Sequence, residues 1–482
     1  MVNFRVVARV FSIVLIIEGL FMLLSAGVSY LYKEHAASSL LLSAIITFVT
    51  GVIVFTPLRN EEKVYGNKEG YIIVTGIWLI LSLFGTIPFL ISGTIKNFTD
   101  AFFESISGFT TTGVTVLTNL ESLPHGILFW RSLTQWIGGI GFILISLSVI
   151  PVLKTINIQL AITDFTGQAT DKLHPKIKEA SKRLVAVFVI LTLVESILLM
   201  LGGMNMFDAV CHSFSTMSTG GYSTRSNGIA AFGSPYILTL LTVFMFFAGT
   251  NMTLVYLAFT GNVKKVVRNN EFFFYIITCL SFILLAFLWL LLKSDFPASK
   301  ALREGAFHVV SVITTTGFYN SDYTLWGGFI VLMLFILMFT GGSSGSASSS
   351  LKIIRLLLIT KNARNEFRRM IHPNAYVPVR LDHKVIPQNL VNNLLVFITL
   401  YFILICLSAL AISFMDYDII TSFGTSAALL GNIGPSMGEF GPYTTYTAVP
   451  VAGKWFFSIL MLVGRLELLS VLVIFTGAFY KR

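Results

Sequence analysis

Ten apolar stretches, each close to the length of a membrane crossing, succeed one another along this chain of 482 residues. They run over about 8–31, 38–58, 70–92, 126–150, 184–203, 234–260, 272–293, 325–358, 391–414 and 452–479, against the ~20 residues a helix needs to cross the hydrocarbon. The last eight form pairs, and between the members of each pair lies a shorter apolar segment ending in a polar glycine turn. The four turns read Thr111-Thr112-Gly113-Val114-Thr115, Thr219-Gly220-Gly221-Tyr222-Ser223, Thr315-Thr316-Gly317-Phe318-Tyr319 and Asn432-Ile433-Gly434-Pro435-Ser436. Span, short segment, turn and span recur roughly every hundred residues, the mark of an internal repeat. The first two spans have no such segment.

The repeat agrees at finer scale. Thirteen positions before Gly113, Gly221, Gly317 and Gly434 stand Asp100, Asp208, Glu304 and Thr421. Acidic and hydroxyl residues suit the start of a helix, where they cap it and meet its dipole. Each intervening segment, 101–110 in the first copy, is too short to cross. It is expected to be a half-helix that dips into the bilayer with its partly negative end inward, which favours a cation there. Irregular backbone at membrane depth is tolerated only where it is buried in protein or lines a wet cavity. Four such turns around one axis would let backbone oxygens replace an ion's hydration shell, and glycine permits the backbone angles required.

The expected fold is therefore an all-α membrane protein. Four pseudo-repeated units of helix, pore helix and helix surround a central pore, preceded by two accessory transmembrane helices. The expected boundaries are 1–66 for the accessory pair, then 67–153, 154–262, 263–370 and 371–482 for the four units.

Charge sets the orientation. Only 12% of residues are charged and 55% are hydrophobic, where a soluble protein carries about 25% charged residues. The net charge of +10 sits between spans and does not suggest nucleic acid. Lys and Arg concentrate in alternate loops: Arg5 and Arg9; Arg59, Lys63 and Lys68; Lys154 to Arg183; Lys264, Lys265 and Arg268; Lys352 to Lys384; and Lys481 with Arg482. The positive-inside rule makes these cytoplasmic. Both termini are then inside and the number of spans is even. The first apolar run, long and without an evident cleavage site, reads as a retained span.

Catalytic signatures are missing. The sequence has no Walker A segment or zinc-type histidine pair, so no enzyme activity is expected. Cys211, Cys279 and Cys406 are widely separated and imply neither a disulfide framework nor a metal site.

Two features suggest a gate. The eighth span is interrupted by Gly341-Gly342-Ser343-Ser344-Gly345-Ser346-Ala347-Ser348-Ser349-Ser350. Its glycines disfavour helix, and its small polar residues suit a loop inside a cavity. The alternative is a small-residue packing face between helices. Arg465 lies midway along the last span, where a charge costs from ~3 to more than 10 kcal/mol unless paired or hydrated. It is expected to face the conduction path as an electrostatic barrier. The alternative is a structural pairing with Glu195, Glu467 or carbonyls at a pore-helix end. Glu467, two positions away, would not share its helix face. On the outer side Asp100, Glu104, Glu121, Asp208, Glu304, Asp322, Asp418 and Glu439 would together raise local cation concentration, although each alone reads more simply as a cap or solubilising charge.

This layout resembles the Trk/Ktr/HKT superfamily of potassium transporters, and within it the bacterial TrkH-like subunits. Besides the four turns, the resemblance rests on Trp136-Ile137-Gly138-Gly139-Ile140-Gly141, on Asp171-Lys172-Leu173-His174-Pro175-Lys176-Ile177 and on Gly464-Arg465-Leu466-Glu467. It covers essentially the whole chain, and the two extra N-terminal helices match the TrkH branch. The resemblance implies a potassium-selective uptake subunit of the bacterial inner membrane, usually a homodimer. Its K+ filter would be Thr111, Thr112, Gly113, Thr219, Gly220, Gly221, Thr315, Thr316, Gly317, Asn432, Ile433 and Gly434. An intramembrane loop (here Gly341, Gly342, Ser343, Ser344, Gly345 and Ser346) and Arg465 would gate it. A TrkA-like cytoplasmic ring of RCK subunits would regulate it, so nucleotide would act only through that partner. The Lys352, Arg355, Lys361, Arg364, Arg368 and Arg369 cluster would meet the ring. Ser348-Ser349-Ser350 depart from the family's glycine-rich ending, which bears on the loop's flexibility. The rival readings are a sodium-permeable or ion-coupled symporter of the same fold, and a membrane enzyme or assembly factor with incidental glycine turns.

Overall fold

The structure is a computed structural model that describes residues 2–60, 66–148, 173–382 and 384–480. Apart from a two-residue hairpin at Arg380–Leu381 and Lys384–Val385, the described chain is built of helices and loops. Phe4–Leu31 and Ala36–Leu58 form the accessory hairpin, packed along each other. Four units follow, each with an entry helix, a short helix and a return helix. The entry helices are Asn67–Gly85, Leu173–Leu201, Asn270–Lys293 and Gln388–Ser413. The short helices are Phe98–Phe109, Met206–Met217, Ala298–Ile313 and Ile419–Gly431, none of them long enough to span a bilayer.

Three of the four return spans are broken, where the sequence suggested a break only in the third unit. In the second unit Pro235–Ala248 and Met252–Phe259 meet at 107°. The residue missed was Asn251: its side chain accepts the Thr253 N–H and caps a new helix, as an N-cap asparagine does. In the third unit Gly328–Met338 ends and helix resumes only at Ile353. In the fourth, Val451–Arg465 stops at the arginine itself. Only His125–Ser148, in the first unit, is continuous as far as it is described.

The short helices start alike in three units. Asn97, Asn205 and Asp418, each sixteen residues before its turn glycine, cap the helix through a side-chain oxygen. The third unit has Ala301 there, which cannot cap, and its helix runs back to Ala298 after Pro297. Glu304, expected near a helix start, is therefore displaced into the helix interior, whereas Asp100, Asp208 and Thr421 do lie in first turns.

Close approach between the helices of a unit is made through glycine. A Cβ on Gly138 would strike the carbonyl oxygen of Phe109, and one on Gly464 that of Leu430. Both carbonyls belong to the residue four positions before the turn glycine. The first and fourth return helices thus touch the ends of their short helices backbone to backbone. The chain ends also meet: Asn3 N–H donates to Glu69 at 3.0 Å, and Phe479 packs edge-on against Tyr71. The N-terminal and C-terminal ends of the described chain therefore lie at the same end of the bundle.

Gly464→Val places two methyl groups against the Leu430 carbonyl. It is expected to destabilise the protein by about 1–3 kcal/mol, the range for overpacking, read as a lower melting temperature in detergent with less protein in the membrane.

Candidate functional site

Each short helix ends in the same hydrogen-bonded cap. The N–H of Thr112, Gly220, Thr316 and Ile433 donates to the carbonyl five residues earlier, at 2.9, 2.8, 2.9 and 2.9 Å. The residue just before each, Thr111, Thr219, Thr315 or Asn432, lies in the left-handed region with φ of 52°, 54°, 58° and 51°. Asparagine tolerates that region, whereas a β-branched threonine there is an outlier that costs of order 1–3 kcal/mol and is found where surroundings enforce it. The turn glycines follow with φ of 84°, 80°, 75° and 96°. Left-handed residues thus alternate with the middle residues, whose φ is negative.

The four turns close on one another in order. A Cβ on Gly113 would collide with the carbonyl oxygen of Gly220, one on Gly221 with that of Thr316, one on Gly317 with that of Ile433, and one on Gly434 with that of Thr112. Turn one therefore touches turn two, two touches three, three touches four, and four returns to one. Only glycine fits at these four places, because both the backbone angle and the neighbour's oxygen exclude a side chain. All the predicted turn residues meet in this one ring and are buried or nearly so.

Side chains behind the ring hold the strands that leave it. The residue nine positions before the turn glycine does this in every unit. Glu104 accepts from Thr115 Oγ1 and from the Val116 N–H, both at 2.9 Å. His212 Nε2 bonds Ser223 Oγ at 3.0 Å and His308 Nε2 bonds the Ser321 carbonyl at 3.2 Å. Thr425 and Ser436 hydroxyls pair at 3.2 Å. A glutamate, two histidines and a threonine share no chemical signature, so sequence comparison of the units missed this position.

Above the ring, an open vestibule is lined by the outgoing ends of the turns, among them Thr115, Ser223, Tyr319 and Pro435, and by Arg131 of the first return helix. Most of the acidic residues expected to charge this space are occupied. Glu104 binds Arg131 at 2.6 Å, Asp208 binds Arg225 at 2.6 Å and Asp100 binds Lys454 at 2.6 Å. Glu304 accepts from Asn320 and Ser321, and Glu121 from Ser226. Asp418 and Asp322 are caps, and hydrogen bonds from the Thr421 hydroxyl and N–H hold the Asp418 carboxyl below the usual aspartate range. The carboxylates act as struts of the loops more than as a free negative field. Arg131, overlooked in the sequence, is central: buried, it also donates to the Ser223 carbonyl at 2.9 Å and stacks 3.5 Å from the Tyr222 ring centroid.

On the opposite side of the ring the interrupted third return span forms a buried loop from Phe339 to Lys352. Ser349 N–H donates to Thr315 Oγ1, within the ring, at 3.0 Å. Ser343 N–H reaches the Gly249 carbonyl at 2.8 Å and the Gly345 carbonyl accepts from Met252 N–H at 3.2 Å, so the loop interlocks with the break in the second unit. Ser344 N–H donates to Glu271 at 2.5 Å. Two of the loop's serines are used as fasteners: Ser348 Oγ accepts from Gly342 N–H, and Ser350 Oγ donates to the Met338 carbonyl. Arg465, fully buried, donates to the Ala347 carbonyl at 2.8 Å, Ser349 Oγ at 2.9 Å and the Gly138 carbonyl at 3.3 Å. It thus ties the loop of the third unit to the first and fourth. Its described bonds go to carbonyls and a hydroxyl; Glu467 instead pairs with Arg355 at 2.8 Å.

The family model described as "Cation transport protein", TrkH, matches residues 40–481. The chain belongs to the TrkH family of cation transport proteins. It is 34% identical to the Trk system potassium uptake protein TrkH of Salmonella typhimurium, over 99% of this chain and 100% of that one. It is 33% identical to the TrkH of Escherichia coli K12 over the same shares. The crystal structure of the potassium transporter TrkH from Vibrio parahaemolyticus superposes with a TM-score of 0.90, at 31% identity, over 99% of this chain and all of that one.

The motifs that carry the TrkH resemblance have distinct places. Gly138 and Gly139 let the first return helix pass between two short helices: a Cβ on Gly139 would lie 2.8 Å from Ser218 Cβ. Trp136 Nε1 donates to Thr192 Oγ1 at 3.3 Å on the second entry helix. The motif 171–177 begins at Asp171 and Lys172, which lie outside the described residues, as do Lys154, Lys481, Arg482 and the boundary at 153–154. In the basic cluster Lys352 and Arg355 are buried, Lys352 against the Phe142 ring, while Lys361 and Arg369 bind backbone carbonyls of the segment that follows.

Glu104→Ala strands the buried Arg131 charge and frees the Thr115 strand. It is expected to cost about 3–5 kcal/mol, the range for breaking a buried pair. Thermal denaturation compared with Glu121→Ala, a strut at the exposed rim, checks it; the latter is expected to stay within about 1 kcal/mol of the parent.

Proposed function

We propose that this chain is the potassium-conducting subunit of an uptake system in the bacterial inner membrane. The single observation that carries the proposal is the head-to-tail ring in which four glycine turns, one from each unit, meet around one axis. Its backbone oxygens would take the place of water around a dehydrated K+. The pore helices end at the ring, so their partly negative termini would favour a cation. The names of the curated relatives supply the identity of the ion.

Thr111, Thr112 and Gly113, with their counterparts in the other turns, would form the filter. The loop 341–350 below it would be the gate. Arg465 would hold that loop closed and set a positive barrier beneath the filter, combining the barrier expected from its depth with a latch. The pore units would divide near 67–153, 154–262, 263–370 and 371–482, after an accessory domain at 1–66. Positive charge in alternate loops supports cytoplasmic termini. The family resemblance supports a homodimer regulated by a TrkA-like RCK ring. The helix Ile353–Ile371 leaves the loop directly and carries exposed Arg364 and Arg368, which supports it as the lever such a ring would pull. The chain itself would hydrolyse nothing, and nucleotide would act on the partner.

Complementation of a potassium-uptake-deficient bacterium at low external K+, with Rb+ and Na+ uptake measured in parallel, tests this reading. Rb+ uptake that excludes Na+ is expected; Na+ movement or Na+ dependence would favour the symporter, and no flux would remove the transport reading. Arg465→Ala, at equal membrane abundance, is expected to raise Rb+ flux about twofold or more as the barrier charge is removed; an unchanged or reduced flux counts against the latch. Gly113→Ser is expected to lower the Rb+ to Na+ uptake ratio about tenfold, since strain of 1–3 kcal/mol at such a site corresponds to that order. A retained ratio would exclude Gly113 from the filter.

A further inference from the structure

The four middle residues of the ring are not anchored in the same way. In the first turn the Thr112 hydroxyl pairs with that of Thr110 at 2.8 Å, and in the third Thr316 pairs with Thr314 at 2.8 Å. In the fourth, the Ile433 side chain is buried and packs back over its own turn: a Cβ on Gly431 would come within 3.0 Å of Ile433 Cδ1. Each of these residues is tethered to its own unit through its own side chain. The second turn has Gly220 at this position and so has no side chain of its own to tether it. Its peptide would be the freest of the four, because glycine restricts its backbone least.

The space behind Gly220 is filled from another unit. A Cβ on Gly220 would run into the side-chain amide of Gln135 on the first return helix. That amide is fully buried and grips the turn on both sides of the glycine. Gln135 Nε2 donates to the Gly220 carbonyl at 2.6 Å, and Gln135 Oε1 accepts the Tyr222 N–H at 3.2 Å. The Gly220 carbonyl is also the oxygen on which Gly113 rests, so the clamp acts at a joint of the ring. The fourth return helix lacks an equivalent. Gly464 packs on its short helix as Gly138 does, so Met461 stands where Gln135 stands, and only its backbone carbonyl is engaged, by Asn432 Nδ2 at 2.8 Å.

We propose that Gln135 is a positioning residue for ion selectivity, supplying in trans the anchor that the side chain at the middle position provides in the other three turns. It sets where the Gly220 carbonyl sits and hence the width of the ring at that oxygen. It need not touch the ion. The inference rests on the ring being the selectivity filter. Its consequence is specific: Gln135 and the absence of a side chain at residue 220 form one unit, and a change in either is tolerated only with a change in the other.

The test measures Rb+ and Na+ uptake by the full chain in potassium-uptake-deficient cells, with membrane abundance and melting temperature recorded. Gln135→Leu keeps the bulk and removes both bonds. It is expected to lower the Rb+ to Na+ ratio about tenfold, the scale of one lost buried hydrogen bond. Gln135→Glu keeps the acceptor for Tyr222 and loses the donor to Gly220, and is expected to lower the ratio as well. Gln135→Ala alone is expected to be as unselective, whereas Gln135→Ala with Gly220→Thr, which offers Ser218 a partner like the Thr110–Thr112 pair, is expected to recover at least part of the ratio. Gly113→Ser run alongside separates the two levels. If it lowers the ratio while Gln135→Leu and Gln135→Glu leave it unchanged, the filter stands and the role of Gln135 is overturned. If none of the three changes it, the filter reading falls and this inference with it. Should Gln135→Leu fail to accumulate, the near-isosteric Gln135→Glu decides: an unchanged ratio in that variant overturns the proposal.

Discussion

Four glycines, each seated against the carbonyl oxygen of the next turn, constrain everything around them. None of the four turns is complete without its neighbour, so no unit can move alone without opening a gap in the ring. The left-handed threonines that precede the glycines are strained, and the surrounding network is what holds them. Identical caps at the ends of the short helices set the turns, and a side chain nine residues back ties down the strand that leaves each one. Irregular backbone at membrane depth is tolerated here because it is enclosed by protein or lines its interior space.

The two sides of the ring differ in construction. The vestibule side is held by ion pairs: Glu104 with Arg131 links the first short helix to its return helix, and Asp208 with Arg225 links the second to the segment after its turn. On the opposite side are hydrogen bonds to small residues, and the third unit's loop leans on Thr315, Gly249 and Arg465 together. Loops of glycine and serine bury little apolar area, so their stability is low relative to the helices and they are the natural moving parts. Arg465 holds such a loop through two bonds, to Ala347 and Ser349, and ties it to Gly138 of the first return helix through a third. A charge in that position is costly unless satisfied, which gives this arrangement its hold. Displacing the loop would leave the same charge needing water or an ion-filled cavity.

Much of the architecture was legible in the sequence because it repeats. Spacing identified the four turns, and the structure brings every one of their residues into the ring. Charge asymmetry paired the termini at one end, where Asn3 and Phe479 in fact converge on the first entry helix. The errors fall where the units diverge. Glu304 was aligned with Asp100 and Asp208 by distance from the glycine, but Ala301 cannot cap, so its helix begins earlier. The bend at Asn251 was hidden because hydropathy does not register a cap inside an apolar run. The supports behind the turns, Glu104, His212, His308 and Thr425, share a position without sharing a chemistry. Arg131 and Gln135 act across units, on partners roughly 90 residues away, and nothing local in the sequence announces such bonds. The acidic vestibule illustrates a further limit: counting carboxylates could not reveal that Glu104, Asp208 and Asp100 are already paired with Arg131, Arg225 and Lys454.

Whether the ring binds a bare cation is decided most directly by crystallising the protein in Rb+ and locating the ion by its anomalous scattering. The account predicts a peak on the axis between the Thr112, Gly220, Thr316 and Ile433 carbonyl oxygens, lost when Rb+ is replaced by Na+. An empty ring, with Rb+ found only at the surface or in the outer vestibule, would contradict it.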